Sequence, residues 1–324
     1  MTYWTSEDNV AGKPGTALFI ILPTIGCYRF RIGKACYMCA YPTAAPRVKW
    51  SQEAIVDYVK EALEKIRDKK GPFAVRMFTS GSFLDNGELK PETRRKIFEL
   101  LAEMDNVEEI VIESRSELVR YDAVKELAEI VPDKHFEVAI GLETANDDVA
   151  DVSINKGNTF EDFVRASEIT RKAGAKVKTY LLLKPIFLSE RTAIEDVKES
   201  IIRAEPYTDT FSINITDIQK RTLYERLWEK NEYRPPWLWS AVEVLIWAKK
   251  KFPNKRILSD PVGAGSKRGP HNCLTDYDRV IGRAIKKFSA TQDLKYIENL
   301  KPECRERWSY IVENGLLDWQ LVTW

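Results

Sequence analysis

Residues 18–39 read LFIILPTIGCYRFRIGKACYMC. A short apolar run with the composition of a buried strand, 18–23, ends in a turn at Gly26 and opens into a loop carrying Cys27, Cys36 and Cys39. The chain has five cysteines, an odd number, and three of them crowd into this one loop. That pattern points to metal or redox chemistry rather than to disulfide staples. Three thiolates on one loop can hold three irons of a four-iron cluster and leave the fourth iron open to a small chelating ligand. Two other readings use the same thiols. A structural zinc site would need a fourth ligand from His135, His271, Cys273 or Cys304. A thioredoxin-like Cys-x-x-Cys at Cys36 and Cys39 would need no third cysteine.

The text downstream of this loop alternates short apolar runs with amphipathic stretches. Strands are expected at 18–23, 73–79, 109–114, 136–142, 176–183 and 210–215, and helices at 52–69, 92–104, 121–130, 160–173 and 192–204. The Val, Ile and Leu content of the strands suits a parallel sheet buried on both faces. Ser51 is placed to cap the first helix and Gly174 to close the fourth. Right-handed crossovers in series curl such a sheet, and six units are too few for a closed eight-unit barrel. The expectation is α/β: a partial (β/α)6 barrel over residues 1–218, with its site on the loops after the strands, where the cysteines stand. From Gln219 the rhythm gives way to Pro-interrupted, Trp-rich helical text, with Arg234-Pro235-Pro236-Trp237 and a helix expected over 240–251. Residues 219–324 read as an extension packed on the barrel and a candidate region for binding substrate or a partner. No low-complexity linker separates the two.

The composition, 44% hydrophobic and 31% charged over 324 residues, excludes collagen, mucin and fully disordered classes. No apolar run approaches the roughly 20 residues that cross a bilayer, and the first residues lack a signal-peptide layout. No membrane association and a cytoplasmic location are expected. The net charge of +1 hides an asymmetry: residues 220–310 carry 20 Lys and Arg against 11 Asp and Glu. A basic, aromatic-rich region is compatible with RNA, or with a solvated helical face over core tryptophans. Lys249, Lys250, Lys286 and Lys287 are the basic residues that such an RNA surface would use.

A triple-cysteine loop after the first strand of a partial barrel resembles the radical S-adenosylmethionine (SAM) superfamily. Thr79-Ser80-Gly81-Ser82-Phe83 is similar to that family's Gly-rich segment, which receives the amino group of SAM. Glu113, and Glu143 of Gly141-Leu142-Glu143, end strands where relatives place polar residues toward SAM. Ser153 to Gly157, including Lys156, resembles a segment of the elongator-like branch, and Leu182-Leu183-Lys184-Pro185 falls near the adenine site. The resemblance implies a [4Fe-4S] cluster on Cys27, Cys36 and Cys39, SAM held by Met38, Ser80, Gly81, Ser82, Glu113, Glu143 and Lys156, and an external one-electron reductant. This sequence departs from the common superfamily spacing in having eight residues between its first two cysteines, an elongation also found in the elongator-like branch. Met38 and Lys184 stand where an aromatic residue and a glycine are usual.

The runs 214–222, 233–239 and 268–273 resemble the radical SAM subunits of archaeosine-forming enzymes. That resemblance implies a partner, a lysine-transferring paralogue of tRNA-guanine transglycosylase that attaches lysine to a deazaguanine base in archaeal tRNA. It also implies a lyase reaction on the adduct: a deoxyadenosyl radical takes hydrogen from the lysine side chain, the carbon–nitrogen bond breaks, and archaeosine remains. Arg268, His271, Asn272 and Cys273 are substrate-binding candidates, or a satisfied surface turn; His271 and Cys273 could also share a metal. His135 reads as structural, Cys304 as an incidental helix residue, and Trp237 and Trp239 as core or platform. Asp217 and Asp260 could meet a cationic amine. Two other functions stay open: an elongator-like radical enzyme for another tRNA base or a small molecule, and a zinc-stabilised RNA-binding scaffold.

Overall fold

In the computed structural model, which describes residues 2–46 and 48–318, eight strands form one sheet in the order of the sequence, β1-β2-β3-β4-β5-β6-β7-β8. They are β1 (Thr2–Val10), β2 (Lys13–Ile21), β3 (Phe73–Phe78), β4 (Val107–Ser114), β5 (His135–Glu143), β6 (Lys176–Leu183), β7 (Thr210–Ile215) and β8 (Arg256–Leu258). β1 pairs antiparallel with β2, and every later pair is parallel. The helices are α1 (Tyr28–Arg31), α2 (Gln52–Glu64), α3 (Pro91–Ala102), α4 (Tyr121–Ile130), α5 (Asp147–Val149), α6 (Phe160–Lys172), α7 (Glu190–Ala204), α8 (Leu223–Glu229), α9 (Leu238–Lys251), α10 (Asp276–Thr291), α11 (Lys295–Glu298) and α12 (Arg305–Asn314). The sheet curls into an open half-barrel with helices on its outer face.

Local chemistry accounts for the element ends. Ser51 accepts the Ala54 N–H at 3.1 Å and starts α2. Thr159 and Asp162 form a reciprocal capping box on α6, which Gly174, at φ +93°, closes. Along β6, Val177, Leu181 and Leu183 join the apolar core shared with the helices, whereas Lys178 and Tyr180 belong to the lumen with charges from across the sheet.

Two strands exceed the sequence reading. β1 is mostly exposed and polar, so it lacks the apolar alternation of a core strand; its visible mark is the Ala11-Gly12 turn, with positive φ at both residues, which joins it tightly to β2. β8 has three residues and comes from the stretch expected to lie outside the barrel. The same stretch supplies α9, packed on α7, and α10, packed on β1 and β2.

The floor of the half-barrel is polar. Arg76 of β3 pairs with Asp8 at 2.6 Å and Glu109 at 3.3 Å, and Arg256 of β8 pairs with Glu109 at 2.5 Å and Glu137 at 2.7 Å. Thr210 donates to Glu137 at 2.6 Å. His135, at the start of β5, contacts Glu137 at 3.1 Å, which makes it part of this framework. Buried ions are tolerated here because each charge has an opposite charge beside it.

Candidate functional site

The cysteine loop leaves β2 at the C-terminal edge of the sheet. The Cys27 N–H donates to the Ser80 carbonyl at 3.0 Å, bringing the loop against the segment after β3. Gly81 is required there, since a Cβ would stand 2.7 Å from the Cys27 nitrogen and 1.9 Å from the Glu88 carboxylate. Glu88 in turn accepts the Ser82 N–H at 2.7 Å and the Thr24 hydroxyl at 2.5 Å. On the far side, Tyr37 N–H donates to the Ile154 carbonyl at 2.8 Å, and Asn155 Nδ2 to the Ala35 carbonyl at 2.8 Å. The stretch after β7 holds the same loop: Leu223 N–H donates to the Tyr37 carbonyl at 3.2 Å and Ala40 N–H to Gln219 Oε1 at 2.7 Å. Three separate connections therefore fix one loop.

Cys27, Cys36 and Cys39 are free and half-buried. Burial pushes the Cys39 thiol up to about 12, reinforced by the other two thiols. Thiols so placed become thiolates when a metal cation compensates their charge. Arg115 donates to Cys36 Sγ at 4.0 Å and is itself held by Glu117 at 2.5 Å, the Lys156 carbonyl at 2.6 Å and Asn158 at 2.7 Å. Sequence reasoning missed Arg115, whose one signal was its position just past a strand end. Among the described residues no three His, Cys, Asp or Glu side chains converge as a single ion would require. A cluster asks each thiolate for a different iron, and three free thiols on an anchored loop beside a guanidinium fit that donor set.

The SAM-facing candidates share this edge. Ser80 and Gly81 lie against Cys27, and the buried hydroxyl of the next residue, Ser82, accepts the Arg115 N–H at 3.1 Å. Lys156 Nζ is 2.8 Å from Glu143, a buried ion pair. Gly141 leaves room for it, since a Cβ would meet Lys156 Nζ at 2.6 Å. Burial raises Glu113 to about 7, opposed by a hydrogen bond from Tyr180 and by the Lys178 and Lys156 charges. Met38 packs with Tyr37 against Ile186, Ile218, Tyr224 and Tyr233.

Other candidates lie elsewhere. Lys184 is fully buried and pairs with Glu190 and Asp318, both at 2.8 Å, so its ammonium is occupied by structural partners. Arg268 pairs with Glu225 at 2.6 Å and lies over the Trp228 ring. His271 donates through Nδ1 to the Gly269 carbonyl at 2.8 Å. Burial, with the nearby Arg234 charge, lowers it to about 4. Asn272 accepts the Trp239 N–H at 3.2 Å. His271, Trp228, Arg234 and Lys267 line a surface cavity of about 570 Å³.

Cys273 is bonded to Cys304, which corrects both readings of these residues: neither is a free thiol, Cys273 has no sulfur to share with His271 over a metal, and Cys304 is not incidental. Trp237 and Trp239 are core residues. Lys250, Lys286 and Lys287 pair with Glu298, Asp260 and Glu7, and Lys249 donates to two backbone carbonyls, so these four already have partners within the chain. Asp260 is thereby engaged at the surface, while burial raises Asp217.

The curled sheet with its thiol loop defines a class, and the comparisons agree: residues 21–197 match the radical SAM superfamily. The chain belongs to the radical SAM superfamily and, within it, to the family of archaeosine synthase beta subunits. It is 91% identical to archaeosine synthase subunit beta of Thermococcus kodakarensis, over all of both chains. It is 45% identical to archaeosine synthase subunit beta of Methanosarcina acetivorans, over 96% of this chain and 89% of that one. Among solved structures, methylornithine synthase has the same fold at 15% identity and TM-score 0.55, covering 74% of this chain and 63% of that one. Among the described residues no helix is long and apolar enough to cross a membrane.

Proposed function

We propose that this chain is the radical subunit of an archaeosine-forming enzyme and cleaves the side-chain carbon–nitrogen bond of a lysine–deazaguanine adduct in tRNA. The nitrogen stays on the base as part of the archaeosine amidine, and the side-chain carbon departs. The full-length 91% identity to a protein named archaeosine synthase subunit beta carries this reading. Cys27, Cys36 and Cys39 would hold a [4Fe-4S] cluster. When bound, the cluster and SAM supply the one-electron chemistry, with an external reductant as electron source.

The chain's own residues do the positioning. Ser80, Gly81, Ser82, Glu113, Glu143, Lys156 and Met38 are assigned to SAM, with Arg115 beside Cys36 offsetting thiolate charge. Residues 219–324 are assigned to tRNA and the lysine-transferring partner subunit. His271 acts there in the cavity wall beside Trp228, Arg268 by holding the Trp228 ring, and Asn272 by anchoring the start of α9 through the Trp239 N–H.

The test is anaerobic reconstitution with iron and sulfide, followed by quantifying deoxyadenosine and archaeosine with tRNA that does or does not carry the lysine adduct. Stimulation by the adduct with archaeosine in the digest is expected. Deoxyadenosine formation indifferent to the adduct would overturn the substrate assignment. A colourless protein that binds zinc in place of iron would overturn the chemistry.

A further inference from the structure

β1 is the edge strand of the sheet and mostly polar, and Trp4 is the large apolar side chain that it leaves 41% exposed. Side chains alternate along a strand, so Trp4 is on the same face as Asp8, which pairs with Arg76 in the polar floor. Trp4 therefore stands on the lumen side. Its ring stacks on Phe19, the residue opposite it, at 5.1 Å between centroids and 7° between planes. Phe19 stacks in turn on Phe78 at 6.0 Å and 14°. Near-parallel rings from three adjacent strands thus make one column.

The two ends of the column differ. Its inner end runs into the site, because Phe78 immediately precedes the segment Thr79 to Phe83, and Phe78 and Glu113 follow the paired Met77 and Ile112. Its outer end is open: Phe19 covers one face of the indole, and among the described residues no other ring and no cation lies over it. Thr2, Ser6 and Asp8 share that side of β1, so the edge offers one flat ring in place of the broad apolar patch of a protein interface. Charge is added from α10, which packs on β1 and whose Lys287 pairs with Glu7. Arg279 and Arg283 precede Lys287 at four-residue steps, on the same row of the helix. Both are exposed and form no ion pair among the described residues. A free aromatic face beside two uncompensated guanidinium groups matches an unstacked base and the phosphates next to it.

We propose that the Trp4 indole is a stacking platform for an unpaired nucleobase of the substrate tRNA, with Arg279 and Arg283 on the adjoining phosphates. This rests on the tRNA-adduct reading above. Measured along the sheet, Trp4 is three strand spacings, about 14 Å in all, from β4 and Glu113. The reacting carbon is joined to the modified base through a single nitrogen and belongs at the SAM layer, so the base on Trp4 is that of a neighbouring nucleotide. Trp4 thereby sets how the strand is splayed when the adduct enters the lumen.

The experiment measures dissociation constants of the reconstituted protein, with SAM and no reductant, for tRNA carrying the lysine adduct and for two versions that are abasic at the nucleotide before or after it. Turnover of the adduct with reductant is followed in parallel. Trp4→Leu is expected to weaken binding of the intact tRNA about 5- to 150-fold, the range for one lost base–aromatic stack, and Trp4→Phe to keep most of the affinity. One of the abasic tRNAs should bind the wild type with a loss of the same size, yet bind the Trp4→Leu protein as well as intact tRNA does. A merely structural role for the indole would leave those two losses additive. Arg279→Gln with Arg283→Gln should flatten the slope of log Kd against log salt by about one to two. Visible cluster absorbance and tRNA-independent deoxyadenosine formation report an intact fold. If Trp4→Leu loses them, Trp4→Met takes its place and must show the same loss. Adduct turnover by a wild type whose abasic penalties are unchanged in the Trp4 variant overturns the platform alone. Protein that sediments as a dimer without tRNA and that Trp4→Leu makes monomeric gives this face to a second copy instead. Wild-type protein that does not turn over the adduct overturns the substrate reading and this one with it.

Discussion

Gly81 and Cys27 touch so closely that a single methyl group at Gly81 would stand 2.7 Å from the Cys27 nitrogen and Cα. The Glu88 carboxylate closes the other side at 1.9 Å, and it is tied to Thr24 and the Ser82 N–H, so the clash has nowhere cheap to go. Gly81→Ala should push the cysteine loop off its seat. The expected result is a loss of about 5- to 150-fold, by the overpacking cost of about 1–3 kcal/mol, in iron bound on reconstitution and in deoxyadenosine formed. Iron quantification and product chromatography check it.

Lys184 sits where family resemblance places adenine, yet its ammonium serves Glu190, Asp318 and the Arg234 carbonyl. Lys184→Met would leave two buried carboxylates facing each other without a cation. A destabilisation of about 3–5 kcal/mol follows, read from denaturant midpoints. Above the melting transition of the variant nothing binds, but below it SAM affinity should match the wild type. Equilibrium dialysis distinguishes this structural role from an adenine contact.

The Cys273–Cys304 bond ties the segment before α10 to the start of α12 across 31 residues. Its removal by Cys273→Ser with Cys304→Ser should cost about 2–4 kcal/mol. Calorimetry with and without a thiol reductant should give the wild type two melting temperatures and the double variant one. Cluster content at room temperature should be the same in both proteins, because neither sulfur belongs to the site.

His271 is held below its ordinary value, at about 4, by burial and by the Arg234 and Lys184 charges. A depressed folded value means that the unfolded chain takes up the proton first. The stability from keeping His271 neutral is whole above about 6.5, the ordinary value, and drains away as pH falls toward 4. His271→Gln should flatten that part of the curve relative to the wild type. Denaturant midpoints at matched pH values across this window supply the difference profile.

The cysteine loop and six parallel strands were legible because composition and period mark them independently of the tertiary structure. Val, Ile and Leu in 176–183 announce a buried strand wherever it packs, and Ser51 caps a helix by local chemistry alone. The missed features depend on distant residues. β1 carries the alternation of a solvated edge, Thr-Ser-Glu-Asp, and is held by its pairing with β2 rather than by apolar content. Nothing in the spacing of Cys273 and Cys304 signals that they meet. Arg115 and Lys178 look like ordinary polar residues on a loop and a strand. What sets them apart is a sulfur 79 positions away in one case and a curled wall of neighbours in the other. Candidate residues ending strands could be picked out in advance, whereas the lumen charges could not, since a charge beside apolar residues in sequence usually faces water.

The polar floor joins the two ends of the chain. Asn9 donates to the Ala290 carbonyl at 3.1 Å, and Arg256 reaches Glu109 and Glu137 from the last strand. During synthesis the first hairpin and the first five parallel strands emerge before either of those partners exists. Until Arg256 arrives, Glu109 and Glu137 have only part of their compensating charge, and until α10 follows, β1 is held by its pairing with β2 without the helix that packs on it. Closure of the bowl is therefore a late event that waits for the final quarter of the polypeptide, a long-range ordering that slows folding. A ribosome-bound chain stalled ahead of residue 256 would hold a sheet of the right order around an unfinished base.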